Sequence, residues 1–210
     1  MKQTKESFLF SLSLARIPSL LLLLLFVSSA FSVHHLIALD DSDYVKQTIE
    51  GLIAASKQIM DTSDEGQANR RKIEAALNWN AISEKCLGRD LWEKKKATPF
   101  PTLLREVVTK TAFSRIAKLW KEVRKFEIKS VTLTGTHAIV KARFVAKQTF
   151  AITYYFGKKD GHWLIDDIAY DDLLYSENIS EQINGFLKSH SFSQLLAKMK
   201  KRLHELDSEA

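Results

Sequence analysis

The spacing of apolar residues divides the chain into two helical regions with a strand-rich region between them. Apolar side chains recur at helical spacing over residues 40–61, 68–87 and 102–120. Gly88 is placed to end the second of these helices, and the sequence Asn78-Trp79-Asn80 to split it in two. Helical spacing returns after Ser180. The pattern therefore predicts helices on both sides of the central region.

The central region begins at Val123, where the apolar period shortens to two residues, as in strands with one buried face. Four alternating stretches follow one another, and Gly135-Thr136 and the sequence GKKDG at 157–161 mark two of the turns. A one-residue shift of the alternation at Ser130 predicts a β-bulge. The pattern is that of an antiparallel meander.

Helices, a curved four-stranded antiparallel meander and closing helices together predict an α+β fold. A strongly curved sheet covered by helices encloses a cone, and such a cone can hold an apolar cavity. Alternation does not tell which sheet face lies inside, and apolar side chains on either face can also fill an ordinary core. The candidates for lining a cavity are apolar residues of the long helix and of the strands: Val107, Val108, Phe126, Val140, Phe144, Ile152, Tyr154 and Phe156.

The N-terminal residues are typical of an export signal. Lys2, Lys5 and Arg16 provide positive charge, and an apolar run over residues 19–27 precedes small residues, so we expect cleavage near Ala30 or Ser32. The run is shorter than the roughly 20 apolar residues that span a bilayer, which disfavours the alternative of an uncleaved signal anchor. Residues 1–32 are therefore predicted to be a signal peptide, and residues 33–210 a single exported domain.

Charge and cysteine content narrow the function only slightly. Removing residues 1–32 takes away three positive charges and one negative charge, and so lowers the net charge from +6 to +4. This mild basicity suits contact with anionic membrane surfaces or acidic partners, although it is also ordinary for a soluble surface. Cys86 is the only cysteine, so no intrachain disulfide can form.

Four aspartates stand in the sequence GHWLIDDIAYDDLL at 161–174. Period-two spacing predicts Asp167 on the same strand face as Trp163 and Ile165, and Asp166 on the opposite face. Adjacent carboxylates on opposite faces cannot share one metal ion or act as an acid/base pair. We therefore interpret these aspartates as structural, with Asp167 as the candidate for a carboxylate that faces the cavity.

Signals for catalysis, metal binding or nucleic-acid binding are weak elsewhere. Asp171 and Asp172 follow the last strand at positions that favour turns. The six histidines lack ligand spacing, and the sequence contains no G-x-S-x-G, no glycine-rich phosphate loop and no CxxC. Cys86 is better interpreted as a buried residue than as a nucleophile, and the basic runs lack interleaved aromatics. We predict a non-enzymatic protein with no metal, no organic cofactor and no nucleic-acid partner.

Three segments resemble the MlaC/toluene-tolerance family of periplasmic proteins. They are NWNAISEKCLGRDLW at 78–92, FPTLLREVVTKTAFSRIAKLW at 100–120 and GHWLIDDIAYDDLLYSENISEQINGFLKSHSFSQLLAKMKKRL at 161–203. The resemblance covers most of the chain after Asp40. The residues that match the family's motifs are Leu87, Gly88 and Trp92 in the first segment, and Trp163, Ile165 and Asp167 in the third.

The resemblance implies a fold like that of nuclear transport factors, with acyl chains held between sheet and helices. It implies a phospholipid or another diacyl lipid as cargo. The cargo would be exchanged in the periplasm between an outer-membrane lipoprotein or porin complex and an inner-membrane ABC transporter with an MCE-domain subunit. Our expectation is therefore a periplasmic lipid carrier without catalytic activity.

Two other functions stay open at the level of sequence. The first is a cone-shaped enzyme for a small apolar substrate, with Asp167 as general base and a donor such as Tyr154 opposite it. The second is an exported adaptor whose core is filled and which carries no cargo.

Overall fold

The computed structural model describes residues 40–59 and 63–208. Within these residues the chain forms seven helices and a five-stranded sheet, which confirms the predicted α+β fold. The predicted signal peptide, residues 1–32, lies outside the described residues. The helices are α1 (Asp41–Ser56), α2 (Asp64–Ala75), α3 (Trp79–Leu87), α4 (Arg89–Lys95), α5 (Phe100–Trp120), α6 (Tyr175–Leu187) and α7 (Phe192–Ser208). The strands are β1 (Lys125–Thr134), β2 (His137–Val145), β3 (Thr149–Lys159), β4 (His162–Tyr170) and β5 (Leu173–Leu174).

The first helices begin at side chains that accept hydrogen bonds from their free backbone N–H groups. Asp40 caps α1, Ser63 caps α2, and Asn78 caps α3 by accepting from the backbone N–H of Ala81 at 3.2 Å. Asn78 therefore splits the second predicted helix, as its sequence indicated. Gly88 ends α3 with a φ of 74°, a left-handed conformation that glycine adopts without strain.

The sheet is antiparallel throughout, and its strands lie side by side in chain order. The prediction of four strands was wrong, because the two-residue strand β5 adds a fifth by pairing with Ala169 and Tyr170 of β4. So short a strand has no alternation for the sequence to reveal. The turn before it is formed by Asp171 (φ 44°) and Asp172 (φ 66°), which confirms that this pair belongs to a turn. Positive φ at both central residues is the type I′ geometry favoured in two-residue hairpins.

β1 contains the bulge that the shifted alternation predicted, and it lies one residue earlier than expected. The register moves between Ile128 and Ser130, so that Lys129 has no partner in β2. The extra residue restores the phase of the strand, because Phe126 and Ile128 before it and Val131 after it all pair with buried residues of β2.

β4 contains a second bulge, which the sequence pattern did not predict. Phe156 of β3 pairs with Ile165, and the preceding Tyr155 pairs with Asp167. Asp166 is therefore not paired with any residue of β3. Directly paired residues share a face of the sheet, and Asp167 therefore lies on the face opposite to Ile165. The prediction that the two residues share a face was wrong.

The hydrophobic core lies on one face of the sheet, which we call the inner face and against which α1 and the end of α5 pack. The inner face carries Phe144 of β2 together with Tyr154 and Phe156 of β3, each exposed by 2 % or less. α1 lies along β1 and β2, and Trp120 at the end of α5 packs edge-on against Phe144 with ring centroids 5.5 Å apart. α7 packs in turn on α5. That the whole encloses a cone like that of nuclear transport factors stays a prediction.

Among residues 40–59 and 63–208, no helix combines the length and the apolarity needed to cross a membrane.

Candidate functional site

The eight cavity-lining candidates all belong to, or pack directly against, one apolar cluster. Val107 and Val108 of α5 are buried, and so are the candidates on β2 and β3. Phe126 of β1 is half-buried and packs against the same cluster. The six sheet residues share the inner face, because Phe126 pairs with Phe144, and Val140 pairs with Tyr154. The structure thus brings the candidates together between sheet and helices.

One end of the inner face is lined by four aromatic side chains, one from each of the first four strands. We call Phe126, Phe144, Phe150 and Tyr170 the aromatic row. The ring centroids of Phe126 and Phe144 are 4.7 Å apart, Phe144 pairs with Phe150 in the sheet, and Phe150 lies 5.6 Å from Tyr170. Phe144 is buried, whereas the other three are half-buried. The row therefore marks an end of the core where apolar surface is incompletely covered.

Two members of the row, Phe150 and Tyr170, were missing from the predicted set. Phe150 alternates in phase with Ile152 and Tyr154, and this phase was a signal that could have included it. Tyr170 was not identifiable in this way, because the bulge at Asp166 changes the phase of β4.

At the same end, the Trp120 ring of α5 packs on Phe144 and also contacts the side chain of Lys57. The Lys57 ammonium nitrogen lies 5.4 Å from the centroid of the Trp120 ring, within the range of a cation–π interaction. Burial raises the pKa of Tyr154 well above its ordinary value, so that this phenol stays neutral. The side chains of the inner face around Phe144 and Tyr154 are therefore neutral, whereas Lys158, near the other end of β3, also faces this side and pairs with Asp41 of α1.

The outer face of β4 is polar where α3 and α6 pack on it, and Asp167 lies at its centre. Asp167 is 2 % exposed, and its carboxylate accepts hydrogen bonds from the backbone N–H of Ser176 at 3.3 Å and from its hydroxyl at 2.5 Å. The Lys85 ammonium is 3.4 Å away. α6 follows Leu174, which has no side-chain cap, so Asp167 serves as its N-terminal cap from a neighbouring strand.

Asp166 faces the same side of the sheet, because the bulge turns both adjacent carboxylates towards α3. Its Oδ1 accepts a hydrogen bond from the side-chain amide of Asn78 at 2.8 Å. Its Oδ2 lies only 2.2 Å from the point where a Cβ on Gly157 would stand, so glycine is required there. The prediction that Asp166 and Asp167 point to opposite faces was wrong. We call Asp166, Asp167, Asn78, Lys85 and Ser176 the aspartate cluster.

The hydrogen bonds of the aspartate cluster tie β4 to α6 and to the start of α3. In the part of the chain that the structure describes, no group of three or more histidine, cysteine, aspartate or glutamate side chains could hold a metal ion. Cys86 lies beside the cluster and is buried, and this burial, together with the nearby Asp167 carboxylate, holds its pKa far above the ordinary value. A thiol with so high a pKa does not form the thiolate that nucleophilic catalysis needs.

The residues that match the family motifs hold elements together. Gly88 is at once the end of α3 and the residue before α4, and Trp92 of α4 is buried. The indole N–H of Trp163 donates to Asp41 of α1 at 3.0 Å. Ile165 donates its backbone N–H to the carbonyl of Ala76 at 2.8 Å, and so joins the α2–α3 connection to the edge of β4.

A model of the MlaC protein family matches residues 43–201 of the sequence. The chain belongs to the MlaC family. No curated protein matches the sequence closely enough to extend this assignment.

Among solved structures, the fold is similar to that of a phospholipid-binding protein from Ralstonia solanacearum, which was solved in complex with a phospholipid. The two chains are 15 % identical and superpose with a TM-score of 0.61. The match covers 80 % of this chain and 99 % of the other. At this level of identity the likeness establishes a shared fold.

Proposed function

We propose that this MlaC-family chain binds a phospholipid or another diacyl lipid between the inner face of its sheet and the helices. The observation that carries the proposal is the inner face itself, where an extended apolar cluster ends in a half-buried aromatic row. The Ralstonia solanacearum protein with the same fold is a phospholipid-binding protein, which supports the same use of the fold here. The residues proposed to contact the acyl chains are Val107, Val108, Phe126, Val140, Phe144, Ile152, Tyr154 and Phe156, with Phe150 added from the aromatic row.

Burial of acyl chains supplies the affinity for such a cargo without covalent chemistry. Each methylene group removed from water contributes about 0.8 kcal/mol. Two acyl chains therefore supply far more than the cost of association, and the headgroup can stay in water. An apolar site without convergent charges is consistent with this division between buried tails and a solvated headgroup.

We further propose that the chain is exported, loses its signal peptide near Ala30 or Ser32, and carries lipid through the periplasm. Its partners would be an outer-membrane lipoprotein or porin complex and an inner-membrane ABC transporter with an MCE-domain subunit. Family membership supports this assignment, because MlaC-family proteins are periplasmic.

The placement of Asp167 argues against the alternative of an enzyme with this residue as general base. Tyr154, its suggested partner, pairs with Ile168 on the inner face, whereas Asp167 pairs with Tyr155. The carboxylate is also occupied by the Ser176 hydroxyl and backbone N–H. An Asp167→Asn variant that folds is therefore expected to keep its lipid content.

Native mass spectrometry of the untagged mature protein, followed by organic extraction, tests the proposal directly. We expect a mass increment close to one diacyl lipid per chain. An apo mass, obtained from a preparation that is never exposed to detergent, would favour the alternative of an adaptor without cargo.

A matched pair of variants tests where the lipid lies. Phe144 and Tyr154 are so deeply buried that a charge at either position would unfold the domain. Phe150 is half-buried on the inner face, whereas Ile139 of β2 is 37 % exposed on the opposite face. We expect Phe150→Glu to lose most of the bound lipid and Ile139→Glu to keep it, as measured by extraction from folded protein. Equal lipid content in the two variants would contradict the proposed site.

Exchange of lipid between membranes is a separate test. The mature protein is mixed with donor vesicles that contain a fluorescent phospholipid and with unlabelled acceptor vesicles. We expect transfer at a rate that rises with protein concentration, and a rate independent of protein would contradict a carrier.

A further inference from the structure

The hydroxyl of Tyr170 is buried and has no hydrogen-bond partner within the described part of the protein. A phenolic hydroxyl carries one donor and can also accept, and buried hydroxyls are almost always satisfied. An unsatisfied group of this kind is unfavourable for folding, and it is therefore a marker for a partner that arrives from outside the chain.

The position of Tyr170 in the sheet identifies where such a partner would lie. Tyr170 pairs with Ile152, which is buried on the inner face, and its ring packs against Phe150 at 5.6 Å. It is the last residue of β4, and the Asp171-Asp172 turn follows at once. The hydroxyl thus lies on the inner face, at the end of the strand where the aromatic row is incompletely covered.

We propose that the Tyr170 hydroxyl donates a hydrogen bond to an ester carbonyl oxygen of the bound diacyl lipid. This inference rests on the proposed function and deepens it by assigning a polar anchor to an otherwise apolar site. The ester groups join the acyl chains to the glycerol backbone, so a donor at the end of the apolar face meets the lipid where its polar part begins.

The local charges favour an ester carbonyl over a phosphate oxygen as the acceptor. Burial and, after it, the Asp171 carboxylate raise the pKa of Tyr170 to about 12, so the hydroxyl keeps its proton at neutral pH. The same carboxylate repels a phosphate anion but leaves a neutral carbonyl unaffected. A neutral acceptor is also cheaper to bring out of water than a charged one.

The test compares diester and diether phospholipids that share headgroup and chain length and differ only in the carbonyl oxygens. The mature protein is incubated with vesicles that contain equal amounts of the two lipids, and native mass spectrometry measures the ratio of the bound species. We expect the unchanged protein to hold the diester in about three- to tenfold excess over the diether, which is the contribution of one neutral hydrogen bond. Tyr170→Phe removes only the hydroxyl and should bring the ratio close to that of the vesicles.

Tyr44→Phe is the matched control, because Tyr44 is 42 % exposed on α1, and it should keep the ratio of the unchanged protein. A diester preference that persists in Tyr170→Phe would overturn the proposal. So would equal binding of diester and diether by the unchanged protein combined with weaker binding of both by Tyr170→Phe, since the acceptor would then be the phosphate. If the unchanged protein takes up neither lipid, the proposed function itself fails, and the anchor fails with it.

Discussion

The two faces of the sheet around β4 differ in how far the chain itself buries their apolar side chains and pairs their polar groups. On the outer face, the carboxylates of Asp166 and Asp167 accept hydrogen bonds from α3 and α6, and Asp167 is almost completely buried. On the inner face, Phe150 and Tyr170 are half-buried, and the Tyr170 hydroxyl has no hydrogen-bond partner among residues 40–59 and 63–208. The carboxylates of the outer face are thus paired within the chain, whereas the inner face leaves part of its apolar surface uncovered.

This difference distinguishes residues that stabilise the fold from candidate binding residues better than residue type does. Carboxylates are the usual candidates for catalysis, yet here their lone pairs are used to cap a helix and to hold a loop. Aromatic side chains are the usual filling of a core, yet here three of the four in the aromatic row are only half-buried. The comparison therefore assigns a structural role to the aspartate cluster, and it supports our proposal that the aromatic row contacts lipid.

Among the substitutions that test this comparison, the largest change in the free energy of unfolding is expected at Asp167. Asp167→Ala should lower the free energy of unfolding by about 2–4 kcal/mol, because the buried Ser176 hydroxyl and the first turn of α6 lose their acceptor. Urea denaturation measures the change, and lipid extraction should find the content of the folded fraction unaltered. Lipid loss from a stable Asp167→Ala variant would move the aspartate cluster into the binding site.

Asp172→Asn is the control for that measurement. Asp172 is exposed in the β4–β5 turn with a φ of 66°, a conformation that asparagine tolerates. Its effect on the free energy of unfolding should stay within about 0.5 kcal/mol.

An intermediate effect is expected at Gly157, where glycine is required for space. A Cβ at this position would lie 2.2 Å from Asp166 Oδ2 and would push the carboxylate off the Asn78 amide. Gly157→Ala should lower the free energy of unfolding by about 1–3 kcal/mol, as forced overpacking does. Thermal and urea unfolding check the value, and an unchanged stability would show that Asp166 is free to move.

Gly185→Ala is the matched control, and the sign of its effect should be opposite. Gly185 lies inside α6, and a Cβ there meets nothing within 4 Å. Alanine is the better helix former, so the variant should be more stable by about 0.4–1 kcal/mol. Loss of stability at Gly185 would mean that α6 packs more tightly than the structure indicates.

The smallest effect is expected at Glu127, which lies on the outer face of β1, on the side of the sheet opposite to the aromatic row. Hydrogen bonds from Lys125, Lys129 and Arg143 hold the pKa of Glu127 well below its ordinary value. A lowered carboxyl pKa stabilises the folded state above the unfolded-state pKa, and this contribution disappears as the pH falls through the folded-state pKa. Glu127→Gln should therefore be slightly less stable at neutral pH, with a difference that shrinks below pH 4.5, the ordinary value.

Varying the ionic strength tests whether the effect of Glu127→Gln is electrostatic. Exposed ion pairs are screened, so the difference between Glu127→Gln and the unchanged protein should also shrink as ionic strength rises. A difference that is independent of both pH and salt would contradict an electrostatic origin. The lipid content of the variant should match that of the unchanged protein.

The local sequence is sufficient to predict the strand faces and helix boundaries of elements with a regular pattern. Alternation predicts that Val140 and Phe144 share one face of their strand, and the structure buries both in the same apolar cluster. Asn78 and Gly88 were recognised as helix boundaries because capping and left-handed φ depend on the residue itself and its immediate neighbours. The bulge predicted at Ser130 lies one residue from the unpaired Lys129, because a bulge in β1 shifts an alternation that is visible on both sides of it.

What the sequence alone determined is thus the fold class, the apolar content of one sheet face and the helix boundaries at Asn78 and Gly88, since these follow from spacing and local conformation. Only the tertiary structure decided which face Asp167 occupies. The bulge at Asp166 depends on contacts from distant parts of the chain, because Ile165 bonds to Ala76 and Asn78 while Gly157 leaves room for the Asp166 carboxylate. The sequence of β4 alone does not show which residues pack against it. A single unpaired residue then reverses the face of every side chain beyond it.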